Sequence, residues 1–161
     1  MQGKDSSRPA IKVAASILSC DFTRLGEQVE KLAVAGVDWL HVDIMDGSFV
    51  DQISIGFPVL RSLRKRFAGL FLDVHCMITN PEKHLEALVE SGADSITFHM
   101  EALSCPEEEI PRLSKRVREL GARSAFALSP ETPVEKWLLR TVEKCELDMV
   151  LIMTVKPGKG G

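Results

Sequence analysis

The chain has 161 residues, of which 45% are hydrophobic and 27% are charged, and its formal net charge is −3. This length and composition indicate one soluble globular domain, because two domains would need a longer chain. Since basic residues do not cluster and no apolar stretch is long enough to cross a bilayer, we expect no nucleic-acid surface and no membrane segment.

The N-terminal residues are polar, and no apolar signal-peptide core follows them. We therefore expect residues 1–10 to form a flexible segment before a domain that covers residues 11–161. The cysteines lack Cys-x-x-Cys spacing, which favours reduced thiols and a cytoplasmic location. They are Cys20, Cys76, Cys105 and Cys145.

Apolar runs alternate with amphipathic stretches along the chain, a pattern typical of strands that alternate with helices. Strands are predicted near 11–18, 38–45, 70–78, 93–100, 122–128 and 147–153. Helices are predicted near 22–35, 58–67, 81–91, 106–120 and 133–144. We expect three of these helices to end at Gly36, Gly92 and Gly121, and the last helix to begin at Pro133.

Two of the predicted strands carry polar residues on one face only. Because side chains alternate along a strand, His41 and Asp43 share a face, and Asp73 and His75 share the corresponding face of the next strand. Burying such groups without partners would cost several kcal/mol. The pattern therefore predicts that they pair with one another, bind a cation, or do both.

Continuous apolar strands separated by helices favour a parallel sheet, either doubly wound or closed into a (β/α) barrel. A barrel places reacting groups inside, at the carboxyl ends of its strands, so the polar faces favour the barrel. Six strands and five helices are fewer than a complete barrel has. The predicted fold is therefore α/β, a TIM (β/α)8 barrel truncated to about six strands and five helices.

The polar faces contain candidate metal ligands. Two imidazoles and one carboxylate suit zinc, iron(II), manganese or cobalt(II), so His41, Asp43 and His75 are predicted to bind one divalent ion. A hydrogen-bonded polar core is the alternative. Asp43 is also a candidate base, because a carboxylate beside a cation can remove a carbon-bound proton.

Other strand-end residues are candidates for a substrate pocket. Ser16 is placed to bind a substrate hydroxyl, or else is an ordinary strand-end hydroxyl. Met45, Met77 and Met153 recur at similar positions and are predicted to line the pocket, although single methionines are commonly core residues. His99 is assigned a supporting position rather than a ligand's.

A glycine-rich loop follows the sixth predicted strand. Gly158, Gly160 and Gly161 expose backbone N–H groups, which suit a phosphate, although glycine clusters are also common in plain turns. Lys159 lies within the same loop.

Six separated motifs stand along the chain: Ala15-Ser16-Ile17-Leu18, His41-Val42-Asp43-Ile44-Met45-Asp46-Gly47-Ser48-Phe49-Val50, Ile55-Gly56-Phe57-Pro58, Asp73-Val74-His75, Thr97-Phe98-His99 and Met153-Thr154-Val155. In order and spacing they resemble the ribulose-phosphate 3-epimerase family from about residue 11 to residue 161. The resemblance implies a metal-dependent TIM barrel of the ribulose-phosphate-binding type, usually oligomeric. It implies interconversion of D-ribulose 5-phosphate and D-xylulose 5-phosphate through an enediolate, in the pentose phosphate pathway.

The resemblance also implies roles for single residues. His41, Asp43 and His75 match metal ligands, and Asp43 matches one of two acid/base aspartates. The positions that match substrate contacts are Ser16, His75, Met45, Met77, Met153, Gly158, Gly160 and Gly161.

The chain departs from the family pattern in several places. The family's second aspartate lies on a seventh strand, beyond this sequence, and Lys156, Lys159 and Asp51 replace residues usual in the family. We therefore expect this chain to be weakly active or inactive alone. The alternatives are a non-catalytic subunit that associates with full-length epimerase, and a metal hydrolase on the same fold.

Overall fold

The structure, a computed structural model, describes residues 11–159. Within these residues, six parallel strands form one sheet in sequential order, each hydrogen-bonded to the next. They are β1 (Ala14–Ser16), β2 (Trp39–Met45), β3 (Phe71–Met77), β4 (Ser95–His99), β5 (Arg123–Leu128) and β6 (Met149–Ile152). The predicted flexible segment 1–10 lies outside the described residues, as do Gly160 and Gly161.

In the described part of the chain, five α-helices connect the strands, in the number that the sequence predicts. They are α1 (Leu25–Val34), α2 (Phe57–Arg66), α3 (Leu85–Glu90), α4 (Pro106–Glu119) and α5 (Lys136–Lys144). Short 3-10 helices occur at Phe22–Arg24, Pro81–His84 and Met100–Ala102. None of the helices in the described part of the chain combines the length and apolar character that crossing a bilayer requires.

The three predicted helix ends are confirmed, but the predicted start of the last helix is wrong. Gly36, Gly92 and Gly121 follow α1, α3 and α4 with φ of 83°, 103° and 92°, a conformation that glycine adopts without strain. The last helix begins at Lys136 rather than Pro133. Just before Pro133, the hydroxyl of Thr132 donates to Glu101 and its N–H donates to the carbonyl of Ser129.

The sheet has an apolar face toward the helices and a polar face on its other side. Alternate residues of the central strands pack with the helices in one buried cluster. From the strands this cluster includes Leu40, Val42, Leu72, Val74, Ile96, Phe98 and Phe126, and from the helices Val29, Leu60, Leu88, Leu113 and Leu138. The other residues of β2, β3 and β4 therefore face the concave side of the curled sheet, as the alternation predicts.

Three aspartates fasten the sheet at the amino ends of its strands. They immediately precede β2, β4 and β6. The carboxylate of each accepts a backbone N–H from the strand before it in the chain, or from the residue next to that strand. The pairs are Asp38 with Val13 at 2.8 Å, Asp94 with Leu72 at 2.7 Å and Asp148 with Ser124 at 3.0 Å. Each carboxylate also binds a basic side chain, from Lys12, Arg64 and Arg118 respectively.

Candidate metal centre

The register of β2 and β3 brings the predicted ligands together. His41 lies beside Asp73 and Asp43 lies beside His75 in the parallel ladder. Because residues two apart on a strand share a face, all four side chains point to the concave side of the sheet. Ser16 of β1 is the register partner of His41, so the first strand adds a hydroxyl to the same group.

Asp43 is the centre of this group. Its Oδ1 lies 3.0 Å from Nδ1 of His75 and 3.3 Å from Nε2 of His41. Its Oδ2 accepts a hydrogen bond of 2.7 Å from the Ser16 hydroxyl. The two carboxylate oxygens therefore have different surroundings, one between two imidazoles and one beside a hydroxyl.

Asp73 orients the ring of His41 by bonding to the ring nitrogen that does not face Asp43. Oδ2 of Asp73 lies 2.8 Å from Nδ1 of His41. A carboxylate can only accept, so Nδ1 carries the hydrogen and Nε2 is turned toward Asp43. Oδ1 of Asp73 is buried and has no hydrogen-bond partner among the described residues.

The electrostatics follow from this packing. Burial lowers the pKa of His41, but hydrogen bonds to Asp43 and Asp73 outweigh that effect and raise it to about 9. Burial raises the pKa of Asp43, but hydrogen bonds from His41, His75 and Ser16 hold it well below its usual range. Burial dominates at His75 and lowers its pKa. Asp43 is thus ionised and His75 is disposed to be neutral, the forms that bind metals, whereas His41 has to release a proton when a metal binds.

His41, Asp43 and His75 can hold a metal ion. Each offers one donor atom, and the three atoms lie within 4.8 Å of one another. Two imidazole nitrogens and a carboxylate oxygen suit zinc and the later first-row divalent metals, and they leave coordination positions for other oxygens. The donor set and its spacing therefore fit a divalent cation.

A cavity of about 190 Å³ opens beside these donors. Its lining residues are Ser16, Leu18, Ser19, His41, Asp43, Met77 and Lys159. Met45 is the register partner of Met77 at the ends of β2 and β3, and both side chains are buried. Met153 follows β6, where it is half-buried and donates its N–H to Leu128. Of the three predicted methionines, Met77 lines the cavity.

The loop after β6 lies over the carboxyl ends of the strands. Gly158 is buried there with φ of 84°, and its N–H points at the Met77 sulfur across 3.2 Å. A second cavity of about 420 Å³ lies between this loop and the loop after β2, and Lys159 borders both cavities. The predicted phosphate contacts at Gly160 and Gly161 lie outside the described residues.

Sequence analysis gave His99 a supporting position but missed its carboxylate partner, Glu101. His99, at the end of β4, is fully buried, and its Nε2 lies 2.8 Å from Nε2 of His75. Its Nδ1 lies 3.0 Å from Oε2 of Glu101, which follows two residues later. The spacing His-x-Glu was a usable signal, because it places a carboxylate next to a strand-end imidazole.

Comparison with known proteins gives close relatives. The chain is 41% identical over 152 residues to the cytoplasmic isoform of ribulose-phosphate 3-epimerase from Oryza sativa subsp. japonica, covering 94% of this chain and 65% of that protein. It is 44% identical over 151 residues to ribulose-phosphate 3-epimerase from Synechocystis sp., covering 94% and 63%. The chain thus spans slightly less than two thirds of the length of these relatives.

Solved structures agree with the fold. The tryptophan synthase alpha chain from Legionella pneumophila superposes with a TM-score of 0.59 at 16% identity, over 90% of this chain and 61% of that chain. Together with the curled parallel sheet, this confirms the predicted TIM-barrel type of fold. The sequence matches the profile of the Ribulose-phosphate 3 epimerase family over residues 12–161. The chain therefore belongs to the ribulose-phosphate 3-epimerase family.

Proposed function

We propose that this chain carries the metal centre and one acid/base carboxylate of a ribulose-phosphate 3-epimerase, which interconverts D-ribulose 5-phosphate and D-xylulose 5-phosphate. The observation that carries the proposal is the convergence of His41, Asp43 and His75, with donor atoms within 4.8 Å of one another, in a chain of this family. The ion is zinc, iron(II), manganese or cobalt(II), since these metals suit imidazole and carboxylate donors.

Asp43 is the base in this proposal. Its Oδ2 faces Ser16 rather than the imidazoles, so this oxygen is the one available to a substrate proton. It takes the proton from C3 of the sugar, the electron pair of the C–H bond becomes the second C2–C3 bond, and the π pair of the C2 carbonyl moves onto its oxygen to give an enediolate. Return of a proton to C3 on the opposite face inverts the centre. Ser16 holds the carboxylate and is placed to contact a substrate hydroxyl.

A divalent cation held by His41, Asp43 and His75 would polarise the substrate oxygens and so favour the enediolate. The surrounding side chains also favour formation of the enediolate. Buried sulfurs of Met45 and Met77 exclude water from this end of the sheet. Met153 and Gly158 belong to the segment that covers the pocket.

The substrate's phosphate is proposed to lie near the loop after β6. Lys159 borders both cavities on this face, so a positive charge stands between the donor cluster and the larger cavity. This arrangement favours a substrate with a negative charge at one end. Gly160 and Gly161 are proposed as further contacts.

Net epimerisation by the 161-residue chain is expected to be slow. Inversion needs proton transfer on both faces of the sugar, and Asp43 is the one carboxylate among the described residues that line the donor cavity. Removal and return of the proton on a single face requires Asp43 alone. Exchange of the C3 hydrogen with solvent should therefore be faster than conversion to the epimer.

The test incubates the chain with ribulose 5-phosphate and Mn²⁺ in D₂O and follows deuterium at C3 by NMR. Exchange is expected with the unaltered chain and with Asp21→Asn, which changes an exposed carboxylate at a 3-10 helix start. Asp43→Asn should reduce it by at least about 100-fold, since positioned acid/base groups contribute 10²–10⁴ in rate. Equal exchange in Asp43→Asn and the unaltered chain would refute the role of Asp43.

Three further statements belong to the proposal. We infer a cytoplasmic location, which the four free cysteines support. We infer a homo-oligomer, because apolar side chains are exposed at both edges of the sheet: Val13 beside β1 is 56% exposed and Ile152 of β6 is 63% exposed. Light scattering of the purified chain tests the second inference, and a monodisperse monomer would contradict it. The acidic balance of charges supports the absence of a nucleic-acid partner.

A further inference from the structure

We propose that Ser54 is a positioning residue, whose hydroxyl fixes the backbone of Asp43 and so sets where that carboxylate stands as metal ligand and base. The inference rests on the proposed function, because it adds a residue to the same site. Ser54 is half-buried and lies after the loop that follows β2. It is not among the candidate site residues that the sequence indicates.

Strand β1 ends before it reaches Asp43. Its last register pair is Ser16 with His41, and the N–H of Ile17 donates to the His41 carbonyl at 3.1 Å. A strand residue directs its N–H and C=O to one side, and the next residue directs them to the other. The carbonyl of Asp43 and the N–H of Met45 therefore face the same side as the His41 carbonyl, where β1 has already ended.

The Ser54 hydroxyl takes the place of the missing strand. It donates to the carbonyl of Asp43 at 2.6 Å and accepts the N–H of Met45 at 3.0 Å. One oxygen thus makes the two bonds that a further residue of β1 would make in a parallel ladder. The backbone N–H of Ser54 also donates to the carbonyl of Met45 at 3.3 Å, which holds the serine against this part of β2.

Burial makes these two bonds important. Asp43 is 7% exposed and Met45 is 2% exposed, so solvent has little access to this end of β2. Buried backbone groups without a partner are rare, because an unmade hydrogen bond is costly there. Without the hydroxyl, the peptide groups beside Asp43 would have to turn toward another partner. Because the Cα of Asp43 carries the side chain, such a turn displaces the carboxylate.

Two serines therefore hold Asp43 at different points. The hydroxyl of Ser16 donates to Oδ2 of the carboxylate at 2.7 Å, and the imidazoles of His41 and His75 lie beside Oδ1. These partners act on the carboxylate, whereas Ser54 acts on the peptide group that carries it. Fixing both ends of a short side chain leaves little freedom in the direction of its oxygens.

A closed loop returns the chain to β2 and delivers Ser54. The antiparallel bridge between Asp46 and Ile53 pairs the two arms of this loop. The N–H of Gly47 also donates to the carbonyl of Gln52 at 3.0 Å. Bonds within the loop therefore place the hydroxyl before any metal or substrate binds, as a positioning group requires.

Three variants test the role of the hydroxyl. Ser54→Ala removes it and keeps the backbone bonds of the loop. Ser54→Thr is the conservative variant, because it keeps a hydroxyl on the same carbon. Ser62→Ala is the matched control, since the Ser62 hydroxyl also donates to a backbone carbonyl, that of Pro58 at 2.8 Å, but on the exposed surface of α2.

Metal affinity and exchange kinetics are measured in all three. Calorimetric titration with Zn²⁺ should show an affinity about 10-fold weaker in Ser54→Ala, the lower end of the range for partners of metal ligands. Ser54→Thr should recover most of the affinity, and Ser62→Ala should match the unaltered chain. At saturating Mn²⁺, Ser54→Ala should lower kcat for exchange at C3 by about 10-fold with KM unchanged, because the base moves while the rest of the pocket stays.

Equal Zn²⁺ affinity in Ser54→Ala and Ser62→Ala would overturn the proposal. So would a Ser54→Thr variant that binds as weakly as Ser54→Ala, or a Ser54→Ala variant that raises KM and keeps kcat. If Ser54→Ala does not fold, hydrogen exchange of the unaltered chain is decisive. The N–H of Met45 should exchange as slowly as the ladder amides of β3, and fast exchange would overturn the proposal.

The two proposals can fail separately. The Zn²⁺ titration uses no sugar phosphate, so it decides the role of Ser54 even where the unaltered chain shows no exchange at C3. Exchange that requires Asp43 but is unaffected by Ser54→Ala would leave the epimerase proposal intact and remove this one.

Discussion

The backbone N–H of Gly158 meets the sulfur of Met77 across 3.2 Å, although the two residues are 81 positions apart in the chain. This contact fastens the loop after β6 over the end of β3. A Cβ added to Gly158 would meet the side chain of Val50 in the loop after β2, so the glycine lies close to that loop. The glycine therefore links three carboxyl-end segments that surround the candidate metal centre.

Gly158→Ala should loosen this link. The residue has φ of 84°, and an added Cβ would lie 3.0 Å from the Val50 Cβ. An L-residue in the left-handed region costs about 1–2 kcal/mol, so we expect a loss of that size in the free energy of unfolding, measured by urea denaturation. The control Gly69→Ala, where no atom lies within 4 Å of the added Cβ, should unfold like the parent. Equal losses in both variants would contradict the argument.

Metal binding should stabilise the fold, because the donors converge in the native state only. At a free metal concentration one hundred times Kd, the free energy of unfolding should rise by about 2.7 kcal/mol. Thermal unfolding with and without Zn²⁺ measures the effect. Asp43→Asn should lose most of it, since Oδ1 of Asp43 lies between both imidazoles, whereas Asp21→Asn should keep it. A Tm unchanged by Zn²⁺ in the unaltered chain would speak against the site.

Asp46 should make stability depend on pH in the acid range. Burial raises its pKa, but bonds from Thr79, Phe49 and Ser48 outweigh this and lower the pKa from 3.8 to about 2. A lowered native pKa gives stability that is fully present above pH 3.8 and is lost as the pH falls through about 2.

Asp46→Asn should therefore be less stable than the parent by about 1 kcal/mol at pH 7, a figure reduced for solvent screening. The Asn amide cannot accept every one of these N–H groups. Urea titrations between pH 7 and pH 2 should show the difference shrinking toward the acid end. A gap that stays constant down to pH 2 would show that Asp46 does not supply it.

Asp94→Ala should destabilise the sheet away from the site. Its Oδ2 accepts the Leu72 N–H at 2.7 Å and binds Arg64, which also donates to the carbonyl of Gly92. Removing a charged acceptor typically costs about 1.5–3 kcal/mol. Urea unfolding should show such a loss, with Glu90→Ala as the control on exposed α3 surface. Zn²⁺ affinity should stay unchanged in both variants, and weaker binding in Asp94→Ala would argue for coupling across the sheet.

The sequence predicted the strand order and the convergence of His41, Asp43 and His75 for a simple physical reason. The period of two along a strand decides which residues share a face, and parallel strands bring equivalent positions side by side. The register His41 with Asp73 and Asp43 with His75 follows from those rules. These predictions needed no knowledge of loops.

Contacts made by loops and turns escaped prediction. The pairing of His99 with Glu101 depends on a 3-10 turn at Met100–Ala102, and Thr132, which precedes α5, donates to the same carboxylate. The bond from Gly158 to Met77 depends on how a loop folds back over the sheet. Local periodicity carries no information on such distant partners.

The carboxylates of Asp38, Asp94 and Asp148 join β1 to β2, β3 to β4 and β5 to β6. The sheet is thus a row of three strand pairs, here called couplets. In each couplet an aspartate carboxylate bonds the two strands together at their amino ends. None of these three carboxylates bonds β2 to β3 or β4 to β5, the strands that the loops after β2 and after β4 lead between. Across these two loops, neighbouring couplets are therefore joined without a tie of this kind.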